Sequence, residues 1–347
     1  MSDFIQIHAL TAYPPSNANR DDMGRPKTAI IGGVPRLRIS SQCLKRTWRV
    51  SDVFTSALSG HIGTRTKLLG NEVFKRLKEK GISDKQAQEW AKPIAEVFGK
   101  IKTETGRELE IEQLVHVSPE EKGAIDALAD TIAAEKRAST ADELNLLRKD
   151  IQAVDIALFG RMLASSPAHN MDAAVQVSHA FGVSKYTEED DYFTAVDDLN
   201  RDEQDQGSAH IGEAGFGSTI YYTYICINKD LLIENLQNNI ELANKAIKAL
   251  TEAALTLAPT GKLNSFANHI RSSYVIAEKG TKQPRSLAAA FFKPVYGDDH
   301  INESIKTISS QRENMDKVYG KCYSADYILN ANDGTGTLDE LLAFVAS

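Results

Sequence analysis

The stretch RLRISSQCLKRTWR, residues 36–49, carries five cationic side chains and no anionic one. Side chains of this kind bind phosphate and other anions through charge-assisted hydrogen bonds. Three more cations, Arg20, Arg25 and Lys27, precede the stretch, so that residues 20–49 hold eight bases against two acids. The chain as a whole has a net charge of −7. Charge is therefore segregated along the sequence, which points to a local anion-binding site rather than to a basic protein.

A strand and a loop are predicted to lead into this basic segment. Residues 4–11 alternate apolar and polar side chains with the period of a half-buried strand. Residues 13–27, YPPSNANRDDMGRPK, are rich in Pro, Asn, Asp and Gly and cannot sustain a helix or a central strand. We therefore expect an exposed basic loop between two strands.

The basic stretch itself reads as a short strand followed by a helix. In the strand, Leu37 and Ile39 face the core, which places Arg36 and Arg38 together on the opposite face. Ser40 or Ser41 caps the helix, whose Leu44 and Trp48 pack inward. Strand and helix thus present their cations from neighbouring elements.

The helix is an unfavourable place for its cations unless an anion is bound. Lys45 and Arg49 are like charges at i, i+4, a pair that costs about 0.2–0.5 kcal/mol on an isolated helix. Lys45 and Arg46 are also expected in or near the first turn, where the helix dipole disfavours cations. A phosphate at the helix start would explain both features better than a solvated surface does.

The predicted anion is a polymer rather than a nucleotide. The sequence has no GxxxxGK[ST] loop, and Gly32-Gly33 alone carries little information. The basic loop extends the positive surface well beyond one phosphate, which suits a single-stranded nucleic-acid backbone.

The remaining composition is that of an ordinary soluble protein of 347 residues, long enough for two domains or for one domain with a large insertion. The amino terminus has neither a signal peptide nor a spanning helix, and we expect a cytoplasmic location. Cys43, Cys226 and Cys322 form no CxxC motif, and the eight histidines are dispersed. We read histidines such as His179 as structural or surface residues, and we expect no metal site and no cofactor.

The order of elements predicts an α+β fold. Residues 58–180 read as helical almost throughout, whereas strands return at 218–228 and 272–278 with an amphipathic helix at 237–257 between them. A short helix is expected after Asp333. This order suggests a split ferredoxin-like core interrupted by a helical insertion.

Several motifs in order resemble one known family. They are FIQIHAL, SNANRDDMGRPK, GGVPRLRISSQCLKR, VDIALFGRM, YFTAVDDL and QGSAHIG. Together they resemble the backbone subunit of the type I-E CRISPR Cascade surveillance complex, the CasC family of repeat-associated proteins. The resemblance is strong over residues 1–49 and 153–228, moderate over about 260–300 and poor over 58–150.

The resemblance implies an RRM-like palm, inserted helical fingers and a thumb β-hairpin. By that division the palm comprises residues 1–57 and 218–347, the fingers 58–182 and the thumb 183–217. Several copies would polymerise along a CRISPR guide RNA, beside other Cascade subunits, and would present the guide for pairing with target DNA in antiviral defence. The resemblance implies a subunit that is not an enzyme and is not associated with membranes.

The resemblance also implies site residues. The side chains expected along the guide-RNA track are Arg20, Lys27, Arg38, Ser40, Gln42, Lys45, Arg46 and Arg49. Met162 and Phe193 would be apolar wedges beside a displaced base, although residues of these types are more often buried in a core. Residues 186–206, with nine acids and one base, would fall at the thumb and face water or a basic surface of a neighbouring copy.

Two other functions remain open at this point. The first is a metal-dependent RNA-cleaving subunit that uses Asp21 and Asp22, against which stands the absence of a third ligand, a base or a nucleophile. The same carboxylates could instead hold the basic loop through Asx turns or ion pairs. The second is a subunit of an unrelated protein assembly, in which segregated charge serves only contacts between subunits.

Overall fold

The structure is a computed structural model and describes residues 3–195 and 210–347. The chain forms two compact units. The first unit comprises residues 1–54, 177–227 and 247–347, and the second comprises residues 55–176 and 228–246. The second unit is therefore inserted into the first at two points of the sequence.

The first unit is built on a large antiparallel sheet with the strand order β11-β10-β1-β9-β7-β3-β2, in which β8 also pairs with β9. Its strand β1, an interior strand, pairs with β10 from Phe4 opposite Gly280 to Leu10 opposite Tyr274. The strands are β1 (Phe4–Ser16), β2 (Thr28–Ile31), β3 (Val34–Ile39), β7 (Ala180–Gly182), β8 (Glu189–Ala195), β9 (His210–Asn228), β10 (Tyr274–Gly280) and β11 (Ala325–Asn330).

Helices cover this sheet, and aromatic and aliphatic side chains from strands and helices share one core. Tyr222 of β9, Phe291 and Ile308 are completely buried there. The helices of this unit, with a short 3-10 helix at Ala288–Phe291, are α1 (Ser41–Arg49), α9 (Leu263–Phe266), α10 (His300–Tyr319) and α11 (Leu338–Ala346). Two further helices run across the unit boundaries in sequence, α2 (Asp52–Ala57) and α8 (Ile240–Thr256).

The second unit is mainly helical and has its own core. α3 packs against α4 and α5, and Trp90, Phe98 and Ile132 are buried among them. A capping box of Ser118 and Glu121 starts α5. The elements are β4 (Thr64–Thr66), α3 (Leu69–Glu79), α4 (Asp84–Glu96), β5 (Val115–Val117), α5 (Pro119–Glu135), α6 (Val154–Phe159), a 3-10 helix (Pro167–His169) and α7 (Lys229–Asn235). Strand β6 (Val175–Val177) runs across the unit boundary in sequence.

Two features of the second unit differ from the sequence predictions. The region expected to be helical almost throughout contains the two-stranded sheet of β4 and β5 as well as long connections, since Thr64 pairs with Val117 across it. Residues 228–246, predicted to belong to the second part of the palm, cluster with this unit instead. The physical reason is a pair of long-range hydrogen bonds: the buried side-chain amide of Asn235 donates to the carbonyls of Ala157 and Asp172, at 3.1 and 2.9 Å.

The mixed α and β architecture with a large antiparallel sheet agrees with the predicted α+β class. The strands expected near the amino terminus and at 218–228 and 272–278 are present, as is the helix after Asp333. No helix in the described ranges combines the length and the apolar character needed to cross a membrane.

Candidate nucleic-acid interface

The basic loop, residues 17–27, is held in place by two asparagines. Asn17 is buried, and its side-chain amide donates to the carbonyls of Gly24 and Gly215, both at 2.9 Å. The Asn19 carbonyl accepts from the backbone N–H of Lys27 at 2.9 Å, and its side-chain oxygen accepts from the N–H of Ser40 at 2.9 Å. The loop is therefore joined both to β9 of the β8–β9 hairpin and to the start of α1.

Asp21 closes the tip of the basic loop. Its Oδ1 accepts from the backbone N–H groups of Met23 and Arg25, both at 2.9 Å, as in an Asx turn. Gly24 supports the turn with a φ of +83°, a value that suits glycine. Among the described residues, no group of three or more His, Cys, Asp or Glu side chains could hold a metal ion. The geometry thus gives the Asp21 carboxylate a structural contact within the loop.

Arg25 and Glu188 connect the basic loop with the acidic segment. The Arg25 Nη1 donates to Glu188 Oε1 at 2.8 Å in a solvent-exposed ion pair. Glu188, Glu189, Asp190 and Asp191 are all exposed or nearly so at the base of the β8–β9 hairpin. Five of the nine acids of residues 186–206 lie at 197–205, outside the described residues.

The start of α1 differs from the prediction. Ser40 is the N-cap, and its Oγ accepts from the backbone N–H of Cys43 at 3.3 Å. Ser40 is itself buried, at 8% exposure, whereas Gln42 in the first turn is exposed. The helix has only nine residues, so Arg46 and Arg49 lie in its last turn, where the dipole favours cations. The unfavourable position predicted for Arg46 is therefore wrong, and the case for an anion rests on the side chains.

The two arginines of strand β3 differ in burial. Arg36 is completely buried, and its guanidinium donates to four carbonyls, those of Gly182, Val183, Phe291 and Phe292, at 2.7–3.4 Å. Arg38, two residues later, is only half-buried. Both arginines were predicted on the face of β3 opposite Leu37 and Ile39, but that face does not expose Arg36, because the segments that supply these carbonyls cover it.

Arg38 belongs to a cluster of cations that surrounds His179. Its Nη1 lies 2.8 Å from Nδ1 of His179, the residue before β7. The pKa of the His179 ring is lowered by burial and by the positive charges of Arg38, Lys27 and Lys45. These three cations come from the basic loop, β3 and α1. Burial also lowers the pKa of the Lys45 ammonium, which is half-buried. We call Lys27, Arg38, Lys45 and His179 the His179 cluster.

A groove runs beside α1 within the first unit. It has a volume of about 680 Å³ and is lined by Arg20 and Asp21 of the basic loop, Arg46 and Thr47 of α1, and the segment 257–261, among others. Gly261 forms part of this wall at a place where a Cβ atom would lie 2.3 Å from the carbonyl oxygen of Ala18. The close approach of the two backbones fixes the width of the groove here.

The cations of these two sites have no acidic partner in the described part of the chain. Across residues 3–195 and 210–347, no carboxylate lies within ion-pair distance of Arg20, Lys27, Arg38, Lys45 or Arg46. Most cations of the second unit, by contrast, are paired, such as Arg76 with Asp130 at 2.8 Å. Five positive charges are thus gathered on one unit without neutralisation by the described residues, which leaves them available to an external anion.

The two predicted wedge residues lie in different units. Met162 is 81% exposed in the second unit and borders a small cavity of about 210 Å³. Phe193 is 41% exposed on β8, where it lies opposite Gly212 of β9. Neither side chain is buried in the core of its unit, although Met and Phe residues are usually buried.

The neighbours of Met162 have structural contacts. Arg161 is buried and donates to Glu121 Oε2 at 2.7 Å, whereas Asp155 accepts from His116 at 2.7 Å and from the N–H of Gly63 at 2.8 Å. The motif VDIALFGRM therefore packs the second unit and leaves Met162 exposed at its end.

Sequence reasoning missed two parts of the site. His179 was interpreted as a structural or surface residue because the histidines show no repeated ligand spacing. Its position beside β3 follows only from the pairing of Arg38 with Phe181. The wall at 257–261 was missed as well, although the Pro-Thr-Gly sequence there signals a tight loop. No pattern within a single segment connects either of them with the basic loop.

The family model described as Cas_CT1975, CT1975-like protein, matches residues 5–343 of the chain. The chain belongs to the CT1975-like family. A search of curated proteins finds no match.

Solved structures are similar to this CT1975-like chain over its whole length. A chain of a structure described as "CRISPR RNA-guided surveillance complex, pre-nicking" shares 29% identity and superposes with a TM-score of 0.85, covering 99% of this chain and 100% of that one. A chain of a second structure, described as "CRISPR RNA-guided surveillance complex", shares 25% identity with a TM-score of 0.76 and coverage of 98% and 99%.

Proposed function

We propose that this CT1975-like protein is the RNA-binding backbone subunit of a type I-E CRISPR surveillance complex. In this function several copies polymerise along a guide RNA, beside other Cascade subunits, and present the guide for pairing with target DNA. The proposal draws on the similarity to chains of RNA-guided surveillance complexes and on the sequence motifs quoted above. It places the protein in antiviral defence in the cytoplasm.

One observation carries the RNA-binding part of the proposal. Five cations of the first unit, those of the basic loop, β3 and α1 named above, have no carboxylate partner among the described residues. Such a surface attracts a phosphate backbone, and an open groove accommodates a strand better than a single nucleotide. The predicted track residues Ser40, Gln42 and Arg49 lie on or directly before the same helix.

We propose that the first unit is the RRM-like palm, the second unit the fingers and the β8–β9 hairpin the thumb. In support, β1 and β9 are neighbours at the centre of the sheet, flanked by β10 and β7. α1 follows the first strands and α8 follows β9, an order of strands and helices compatible with a split ferredoxin-like core. The wedge roles of Met162 and Phe193 belong to the same proposal.

We propose further that the subunit is non-catalytic and that sequence recognition resides in the guide. The Asp21 carboxylate is occupied by two backbone N–H groups of its own loop, which favours a structural contribution over metal binding. In another CRISPR effector, Cas9, base pairing reads the sequence while the protein holds the backbone. By analogy, RNA affinity here varies little with spacer sequence at constant length.

Expression with a CRISPR guide RNA tests the proposal. The purified protein is expected to show nucleic-acid absorbance, to elute as an assembly and to yield the guide after extraction. RNA of constant length but different spacer sequence is expected to be retained equally. A clean protein that oligomerises without RNA would instead favour an assembly in which charge serves only subunit contacts.

A further inference from the structure

The tautomer of His179 follows from its contact with Arg38. A guanidinium has only N–H donors, so the Nδ1 atom that lies 2.8 Å from Arg38 Nη1 must be the acceptor and carries no proton. The single proton of the neutral ring is then on Nε2. His179 itself is exposed, and its imidazole is therefore open to solvent and to ligands.

The surroundings keep the ring neutral in the free protein. Positive charges act on it from three segments: Lys27 before β2, Arg38 on β3 and Lys45 on α1. Partial burial, and then these three charges, lower the pKa of His179 below its ordinary value of 6.5. Among the described residues, no carboxylate is near enough to counteract this effect. At neutral pH the cluster thus holds three cations and one neutral imidazole.

A phosphodiester bound in the cluster would favour the protonated, charged form of the His179 ring. Its negative charge would offset the three cations, and a nearby anion favours the charged form of an imidazole. Nδ1 would then take up a proton from the solvent and would become a second donor on the ring. Arg38, released from Nδ1, could turn its Nη1–H group toward the phosphate oxygen.

We propose that His179 is a phosphate-binding residue of the His179 cluster and that it takes up one proton when a phosphodiester of RNA binds there. This inference rests on the proposed function, because it requires RNA to occupy the cluster. It assigns a direct ligand contact to a residue that the sequence reading placed among structural or surface histidines. It also predicts that RNA binding is linked to pH.

The first experiment measures the affinity of the full chain for oligouridine between pH 8 and 5.5. Uracil does not titrate in this range, so any change belongs to the protein. Affinity is expected to rise as the pH falls, by up to about tenfold for each unit by which the pKa of the bound state exceeds that of the free state. His179→Gln is expected to abolish most of this rise and to keep the dependence on salt. His300→Gln, at another exposed histidine, is the matched control and is expected to behave as the wild type.

A second measurement follows the His179 ring directly and uses a variant only to assign its resonances. The ring resonances of His179, assigned by their loss in His179→Gln, are followed by NMR against pH with and without oligouridine. A higher pKa in the complex is expected, and an equal or lower one would overturn the inference. So would an equal pH dependence of affinity in wild type and His179→Gln. If RNA binds with a steep salt dependence but without either effect, only this inference fails; if the wild type does not bind RNA at all, the proposed function fails as well.

Discussion

The side-chain amide of Asn17 donates to the backbone carbonyl of Gly215 at 2.9 Å, and this bond joins the basic loop to strand β9 of the hairpin. The same amide donates to Gly24 within the loop. One buried side chain therefore positions the loop that carries Arg20 and Lys27. Its replacement tests how far the loop depends on it.

Asn17→Ala is expected to lower the free energy of unfolding by about 1–3 kcal/mol, because two carbonyls lose their donor at a buried site. Asn17→Asp, of nearly equal size, removes the donors and adds a charge, and is expected to be more destabilising. Chemical denaturation measures both variants. Asn264→Ala at an exposed position is the control, with a change within about 0.5 kcal/mol. Equal stability of Asn17→Asp and wild type would show that the two hydrogen bonds donated by the Asn17 amide do not stabilise the fold.

Combined replacement of Lys45 and Arg46 by Ala is expected to weaken guide-RNA binding equally for all spacer sequences. The slope of log K against log salt is expected to become shallower by about 0.7 for each phosphate contact that is lost. Affinity measured at several salt concentrations gives this slope. The control replaces Lys306 and Lys317, two exposed lysines of α10, and should leave the slope unchanged. An unaltered slope in the α1 variant would remove this helix from the RNA site.

Met162→Ala is expected to reduce pairing with target DNA while leaving stability almost unchanged. The side chain is 81% exposed, so its removal should alter the free energy of unfolding by no more than about 0.5 kcal/mol. Target binding by the assembled complex and thermal melts of the subunit measure the two effects. Val318→Ala, at 73% exposure, is the control and should affect neither. A large loss of stability in Met162→Ala would assign the residue to packing instead.

Acid is expected to destabilise the first unit in two stages. His8 is completely buried, and burial lowers its pKa below the ordinary value of 6.5. Its unfolded state binds more protons than its folded state, so the free energy of unfolding falls as the pH drops through about 6.5. Burial alone would raise the pKa of Glu278, but the His8 ring, 3.6 Å away, and hydrogen bonds from Arg285 lower it well below its ordinary value of 4.5. Its stabilisation is present above about 4.5 and is lost at more acidic pH.

Denaturation midpoints between about pH 8 and pH 3 measure this dependence, because the Glu278 stage begins only below about pH 4.5. His8→Asn, which does not titrate in this range, is expected to lower stability at pH 8 but to flatten the first stage. The His300→Gln control should retain both stages, since its histidine is exposed. A first stage of the same size in His8→Asn and wild type would assign the acid sensitivity to other groups.

The assembled complex is expected not to cut target RNA in the presence of a divalent metal ion, because Asp21 is engaged by backbone N–H groups. Asp21→Ala should destabilise the basic loop and weaken RNA binding, whereas Asp22→Ala should have little effect. Labelled target RNA resolved on gels provides the test. Cuts at regular spacing that disappear in either variant would establish cleavage.

Local periodicity was sufficient to predict the elements that carry the site. The alternation of β3 correctly assigned Leu37 and Ile39 to the core, and the serines before α1 marked its start. Alternation could not reveal that Arg36 is covered on its own face. The burial of Arg36 depends on the backbone carbonyls of residues 182–183 and 291–292, which accept from its guanidinium. No pattern within the sequence around residue 36 points to these segments.

Elements with weak periodicity and contacts between distant segments could not be predicted. β11 is a short edge strand with two exposed and three half-buried residues, so its sequence lacks the strong alternation of β1. His179 joins the cations only through the pairing of β3 with β7. Residues 228–246 follow a strand of the first unit in sequence, but buried hydrogen bonds of α7 hold them in the second unit.

The pairing of Phe4 with Gly280 has a consequence for synthesis on the ribosome. Strand β1 emerges first, yet its neighbours β9 and β10 are translated only after residue 209. At about 5–20 residues per second, β1 waits for some tens of seconds with both hydrogen-bonding edges unpaired. The helices of residues 55–176, which form contacts close in sequence, can fold during that interval. The nascent protein is thus most exposed to aggregation and to chaperones while its first strand lacks both partners.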